Sequence, residues 1–102
     1  MTAVIYNVTI KVEAAIAADW LRWLKEEHIP EVLATGCFTG QRVVRLLEVD
    51  DSEGLTYAVQ YEAASKADYN RYIEQHAVRL RDRSFEKWGH RFIAFRSVME
   101  VV

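Results

Sequence analysis

Apolar and polar residues alternate at the start of the chain. From residue 4 to residue 12 every second side chain is apolar, while the positions between them are mixed. This two-residue period is typical of a half-buried β-strand. Two further β-rich segments, residues 38–49 and 55–62, are separated by a polar stretch at 50–54 that favours a hairpin loop. A fourth such segment covers residues 92–102, so the pattern predicts four strands.

The segment after the first strand has the three- and four-residue spacing of a helix with one buried side. The residues predicted to share that side are Ile16, Trp20, Trp23, Leu24 and Glu27. Pro30 has no N–H to donate and restricts the residue before it, so we expect the helix to break or kink near His28. Residues 31–35 should form a further short turn of helix, which Gly36 ends.

A second helix is predicted after the third strand. Residues 65–68 resemble a capping box in which Ser65 is the N-cap and aspartate stands in place of the usual glutamate. The helix should continue unbroken to about Trp88, where Gly89 stops it. Its apolar stripe is formed by Tyr69, Tyr72, Ile73, His76 and Leu80.

The resulting order is β-α-β-β-α-β, which is the ferredoxin-like arrangement of an α+β fold with a four-stranded antiparallel sheet. Right-handed crossovers place the first and third strands in the middle of the sheet and the second and fourth at its edges. At 102 residues, the chain has room for one domain with its own core, so residues 1–102 are predicted to form a single ferredoxin-like domain.

Apolar residues lie on both faces of the predicted edge strands. They occur in adjacent pairs or runs at residues 43–44, 46–47, 93–95 and 98–99. Two helices cover only one face of such a sheet, so we expect the other face to pair with a second copy as a homodimeric α/β barrel. The alternative is that local twist or a bulge at Gly40 sets the pattern and the second face stays open.

Composition narrows the classes of function. Hydrophobic residues make up 51% of the chain, charged residues 27%, and the formal net charge is −2. These values are typical of a folded globular protein and argue against a nucleic-acid partner. No apolar run approaches 18 residues, so no membrane partner is predicted. The single cysteine, Cys37, is typical of a reducing compartment, and we expect a cytoplasmic location.

Two histidines are weak candidates for catalysis. His28 precedes Pro30 and could act as a base, or it could cap a helix end as a cation. His76 falls on the apolar stripe and could face a cavity, or it could be a hydrogen-bonded core residue. Together with Glu31 they match the composition of a two-histidine, one-carboxylate site, but their spacing does not require one. We therefore predict no metal ion and no cofactor.

Aromatic and polar side chains on the strands and first helix are weak candidates for binding a ligand. The predicted set is Tyr6, Asn7, Trp20, Trp23, Arg45, Tyr61 and Tyr72. Polar strand residues, including Gln60 and Arg96, could line a pocket or form hydrogen bonds and ion pairs along a dimer seam, for example between Arg45 and a glutamate. The arginines at 79, 81 and 83 are interpreted as a solvated helix face.

Several segments resemble an uncharacterised bacterial family of similar length. They include residues 5–9, 45–48, 56–61 and the sequence HIPEV at 28–32, followed by ATG at 34–36. The family is similar in layout to the dimeric α/β-barrel superfamily, in which two ferredoxin-like sheets close face to face. That superfamily includes cofactor-independent monooxygenases, isomerases, haem-binding members and ligand-binding modules. The resemblance therefore implies a fold and no particular activity.

Two main functions follow as hypotheses. The first is a homodimeric module that binds a small ligand or interacts with a partner, with no evident catalytic motif. The alternative is a cofactor-independent monooxygenase or isomerase that acts on a small apolar or aromatic metabolite, with one histidine as the base. Haem binding through His28 or His76 is a third, weaker hypothesis.

Overall fold

The computed structural model describes residues 2–102 and contains four strands and four α-helices. The strands are β1 (Val4–Glu13), β2 (Gly40–Arg45), β3 (Gly54–Ala63) and β4 (Phe92–Glu100). The helices are α1 (Ala17–Trp23), α2 (Ile29–Ala34), α3 (Lys66–Gln75) and α4 (Ala77–Trp88). A short 3-10 turn at Ala14–Ile16 precedes α1, and a π-helical turn at Leu24–His28 joins α1 to α2.

The strands form one antiparallel sheet in the order β2-β3-β1-β4. In the centre, β1 pairs with β3 along its whole length, from Val4 opposite Ala63 to Glu13 opposite Gly54. The predicted ferredoxin-like α+β topology is confirmed, with β1 and β3 in the middle and β2 and β4 at the edges.

The core lies between one face of the sheet and the helices. The predicted alternation of β1 is observed, because its apolar residues on the helix side are buried: Val4, Tyr6, Val8, Ile10 and Val12. From the helices, Trp20, Leu24 and Leu80 are buried almost completely. Removing a side chain of this size from water contributes about 2 kcal/mol. Glu27, which was predicted to share the buried side of the first helix, is exposed.

The first helical region is irregular at His28 but does not break there. The backbone keeps helical angles through His28 and Ile29, and the Ile29 N–H donates to the carbonyl of Leu24, five residues earlier. This wider π turn places Pro30 in the first turn of α2, where its missing N–H is tolerated. The expected break is therefore a widened turn. Gly36 ends the helix with a positive φ of 75°, as predicted.

Two predicted elements differ from the structure. β2 covers Gly40–Arg45 instead of residues 38–49, and the chain beyond it turns through Glu48, which has a left-handed backbone conformation with a φ of 57°. The second helix is interrupted at His76, whose φ and ψ are −130° and −32°, so that α3 and α4 are separate helices. The predicted cap is confirmed, because the Ser65 side chain accepts a hydrogen bond from the Asp68 N–H.

The other face of the sheet has no helix on it. Its exposed apolar side chains include Ile93 and Phe95 of β4, which are 58% and 69% exposed. Next to them on β1, Asn7 donates hydrogen bonds to the hydroxyls of Thr9 and Ser97, at 3.0 and 3.3 Å. We call this side of the sheet the open face. Within residues 2–102, none of the helices is both long and apolar enough to span a bilayer.

Candidate functional site

A cavity of about 60 Å³ lies between the sheet and the helices. β1, β3 and β4 form its floor, and α1, the π turn, α3 and α4 form its walls. One buried water needs a cavity of roughly 10–15 Å³, so this cavity has room for a few waters or a compact ligand. It is too small to enclose a haem group.

The cavity has one largely apolar side and one polar side. Trp20, Trp23, Phe92 and Ala94 belong to the apolar side. Polar groups enter from every surrounding element except α1: Tyr6, His28, Tyr61, Tyr72, Arg81, Ser84 and Arg96. A mostly apolar space with a few convergent polar groups is the usual composition of a small-molecule site.

Three tyrosines of the lining pack together. Tyr6 lies opposite Tyr61 in the ladder between β1 and β3, so their rings share one face and stack with centroids 6.1 Å apart. The ring of Tyr72 from α3 lies 5.7 Å from that of Tyr6. Burial raises the pKa of both Tyr61 and Tyr72, so their phenols remain protonated.

Two arginines converge on the hydroxyl of Tyr6. Nη2 of Arg81, from α4, donates to this oxygen at 2.9 Å, and Nε of Arg96, from β4, donates to it at 3.2 Å. The Nε of Arg81 is buried and has no partner among residues 2–102. The result is a pair of guanidinium groups whose shared acceptor is a phenol instead of a carboxylate.

His28 lies at the end of the π turn, where its ring stacks on the indole of Trp23 with centroids 4.9 Å apart. Burial lowers the pKa of His28 to about 4; the Glu31 carboxylate opposes this shift, and the Arg96 cation adds to it. The imidazole is therefore neutral near pH 7 and can either donate or accept a hydrogen bond through its ring nitrogens. π turns often occur at functional sites.

The structure brings together six of the residues predicted as ligand-binding or catalytic candidates. They are Tyr6, Trp20, Trp23, His28, Tyr61 and Tyr72. The other three lie elsewhere. Asn7 is on the open face, and Arg45 forms an ion pair with Asp51 at 2.9 Å instead of with a glutamate. His76 lies at the junction of α3 and α4, with its ring 6.4 Å from that of Tyr72.

The proposed grouping of His28, Glu31 and His76 does not form. Over residues 2–102, the structure has no cluster of three or more His, Cys, Asp or Glu side chains that could hold a metal ion. Glu31 instead pairs with Arg83 of α4.

Sequence reasoning missed Arg81, which it placed on a solvated face. Because the helix is interrupted at His76, α4 is rotated about its axis relative to a continuation of α3. The side of α4 that faces the sheet is therefore formed by Ala77, Leu80, Arg81, Ser84 and Trp88. Arg81 is consequently half-buried, whereas Arg79 and Arg83 are exposed. The sequence does contain a signal for the buried side of α4, which is the helical spacing of Ala77, Leu80, Ser84 and Trp88.

A family model described as a domain of unknown function, DUF4286, matches residues 3–102. No curated protein matches the chain. A dimeric ferredoxin-like protein from an uncultured marine organism superposes with a TM-score of 0.73 at 14% identity, over 100% of this chain and 97% of that one. A protein of the ethyl tert-butyl ether d (ethd) family from Bacillus halodurans gives 0.70 at 8% identity, over 100% of both chains.

A third solved structure is a dimeric ferredoxin-like protein of unknown function from Thermobifida fusca. Its TM-score is 0.57 at 10% identity, over 98% of this chain and 91% of that one. At these identities the three structures establish the shared fold only.

Proposed function

The chain belongs to the DUF4286 family, whose function is unknown, and we propose that it is a homodimeric protein that binds a small ligand in the cavity between the sheet and the helices. One observation carries this proposal. Arg81 and Arg96 converge on the Tyr6 hydroxyl inside a mostly apolar space. Arg81 is half-buried there, and a guanidinium taken partly out of water without a counter-charge is expensive to maintain for packing alone.

Ser84, which lines the cavity, is not arranged as a nucleophile. The hydroxyl of Ser84 donates to the Leu80 carbonyl at 3.2 Å, which is a hydrogen bond within its own helix and not a contact with a base. A nucleophile activated for catalysis would have its base within hydrogen-bond reach. The neutral imidazole of His28 fits a role as a polar contact for the ligand.

The homodimer is supported by the open face. Ile93 and Phe95 expose large apolar side chains in the first half of β4, next to the central strand β1. A second copy placed by a two-fold axis would cover both residues with the same surface of its own sheet. Two of the similar structures are described as dimeric ferredoxin-like proteins.

Native mass spectrometry of freshly purified, untagged protein tests both parts of the proposal. We expect the mass of two chains and an additional small organic mass that is lost under stronger collisional activation. A bare dimer that also fails to bind any member of a small-metabolite library would contradict the ligand-binding part. A monomer at micromolar concentration would contradict the dimer.

A further inference from the structure

The charge in the cavity identifies the kind of ligand. We infer that the cavity binds a small carboxylic acid in its ionised form, with the carboxylate held by Arg81 and Arg96 and the apolar body directed towards the tryptophan side. This inference rests on the proposed function and adds the substrate class to it. Its support comes from ion pairing, an unpartnered donor and the shape of the space.

The first support is that Arg81 and Arg96 have no acidic partner among residues 2–102 to balance their charge. Ion pairs among residues 2–102 involve five of the arginines, and Arg81 and Arg96 are not among them. Two arginines of the chain are half-buried, Arg71 and Arg81, and Arg71 has Asp68 as its partner. Arg81 is thus a partly desolvated cation whose one hydrogen-bonded neighbour is a neutral phenol. Desolvated charges are normally paired.

The second support is the free donor of the Arg81 guanidinium. Its Nη2 is occupied by the Tyr6 hydroxyl, but its Nε is buried without a partner. A buried donor that stays unsatisfied costs about 1–3 kcal/mol. A carboxylate is planar and accepts two parallel hydrogen bonds from one guanidinium, and a small shift of the Arg81 side chain would bring its Nε, which is closed to solvent in this structure, within reach of such a ligand.

The third support is the division of the cavity into a polar and an apolar side. Trp20, Trp23 and Phe92 offer no hydrogen-bond acceptors and suit a hydrocarbon or aromatic body. An inorganic phosphate would place its oxygens against these rings as well as against the arginines. A carboxylic acid instead matches both sides, because its charge is confined to one end. The volume of about 60 Å³ restricts the enclosed part to a few heavy atoms, and Arg96, which is exposed, marks the side that faces solvent.

Matched pairs of probes test the inference with the intact protein. Acetate is compared with acetamide, and benzoate with benzamide, by ¹H–¹⁵N NMR titration at pH 7 and low salt. The members of each pair have nearly the same shape and differ in charge. In at least one pair we expect the carboxylate to bind ten-fold or more tightly than the amide, with the largest shifts at residues that line the cavity.

The outcomes separate this inference from the proposed function. Amides that bind as tightly as the carboxylates would overturn the inference and leave a ligand-binding cavity. The absence of binding by both carboxylates would also overturn it, and the native mass spectrum would still decide the proposed function independently. Inorganic phosphate that binds as tightly as the better carboxylate would show a general anion site and would overturn the assignment to carboxylic acids.

Substitutions of the two arginines test where the carboxylate binds. Arg81→Gln and Arg96→Gln should each weaken carboxylate binding at least ten-fold and leave amide binding unchanged. Arg96 is exposed, so its substitution is expected to preserve the fold even where Arg81→Gln does not. Arg79→Gln is the matched control, since Arg79 is an exposed arginine of the same helix outside the cavity. Wild-type carboxylate affinity in both Arg81→Gln and Arg96→Gln would overturn the inference.

Discussion

The Tyr6 hydroxyl and the Arg81 guanidinium are separated by 75 positions in the sequence and by 2.9 Å in the fold. The pairing depends on two backbone features. The strand period directs Tyr6 from β1 towards the helices, and the interruption at His76 turns Arg81 of α4 towards the sheet. One oxygen atom thus links the central strand to the last helix and, through Arg96, to the edge strand β4.

Removing this oxygen should destabilise the protein. In Tyr6→Phe both arginines lose their acceptor, and Arg81 is left half-buried without a hydrogen bond from its guanidinium to Tyr6. Because hydrogen bonds of charged groups are stronger than neutral ones, we expect the free energy of unfolding to fall by about 2 kcal/mol, measured by urea denaturation. Tyr57→Phe is the control, since Tyr57 is a buried tyrosine of β3 that packs on Trp20. Equal losses in the two variants would refute the role of the oxygen.

Gly54 begins β3 at a point where the backbone has no room for a side chain. A Cβ at this position would overlap the carbonyl oxygen of Val12 on the neighbouring strand β1. Since the obstacle is the backbone of a central strand, which cannot move aside as a flexible side chain could, Gly54→Ala should lower the free energy of unfolding by about 3 kcal/mol. Gly40→Ala at the start of β2 has open space and should change stability by less than about 1 kcal/mol. Similar melting temperatures for the two variants would contradict this explanation.

Charge on the open face should separate the two copies of the proposed dimer. In Phe95→Asp, a carboxylate would have to be desolvated at the dimer seam, so we expect a monomer by analytical ultracentrifugation at concentrations where the wild-type chain is dimeric. Val78→Asp is a closely matched control, because Val78 of α4 is 68% exposed and Phe95 is 69% exposed. A dimer that survives Phe95→Asp, or that is lost equally in Val78→Asp, would place the interface elsewhere.

Strand topology was predictable because its signals are local. Alternation along β1 and the glycine after the first helix each depend on a few neighbouring residues, as does the cap at Ser65. The end of β2 was not predictable, since apolar residues such as Leu47 and Val49 continue the β-rich pattern into an exposed loop. The left-handed conformation of Glu48, which lies in this loop, is not indicated by any side-chain pattern.

The aromatic residues of the site and His28 were predictable, whereas Arg81 was not. Trp20 and Trp23 are identified by helical spacing, and Tyr6 and Tyr61 by the strand period. Arg81 could not be recognised while α3 and α4 were treated as one helix, because the phase of a continuous helix gives it no place on the buried side. The one-residue interruption at His76 rotates α4 relative to α3, and this rotation brings Arg81 to the buried side. Arg96 was noticed as a polar position in an apolar strand, but its partner Tyr6 is set by tertiary structure.

His28 should make the stability of the protein depend on pH. The charged and aromatic groups around it are Trp23, Glu31 and Arg96, and its pKa in the folded protein is lowered to about 4 by burial. The unfolded chain has an ordinary histidine pKa near 6.5, so it binds the proton first as the pH falls. The stabilising effect of the neutral ring is therefore complete above about pH 6.5 and is lost progressively down to about pH 4, by up to about 3 kcal/mol.

A substitution isolates this contribution from that of the carboxylates, which also titrate in acid. Urea denaturation at several pH values between 7.5 and 4 should show that His28→Gln, which cannot gain the proton, loses about 2–3 kcal/mol less than the wild-type chain over this interval. His90→Gln is the matched control for replacing a histidine by glutamine, because His90 is exposed. Parallel curves for His28→Gln and the wild-type chain would mean that the ring is solvated in the folded protein, and a His28 pKa near 6.5 by NMR titration would establish the same point directly.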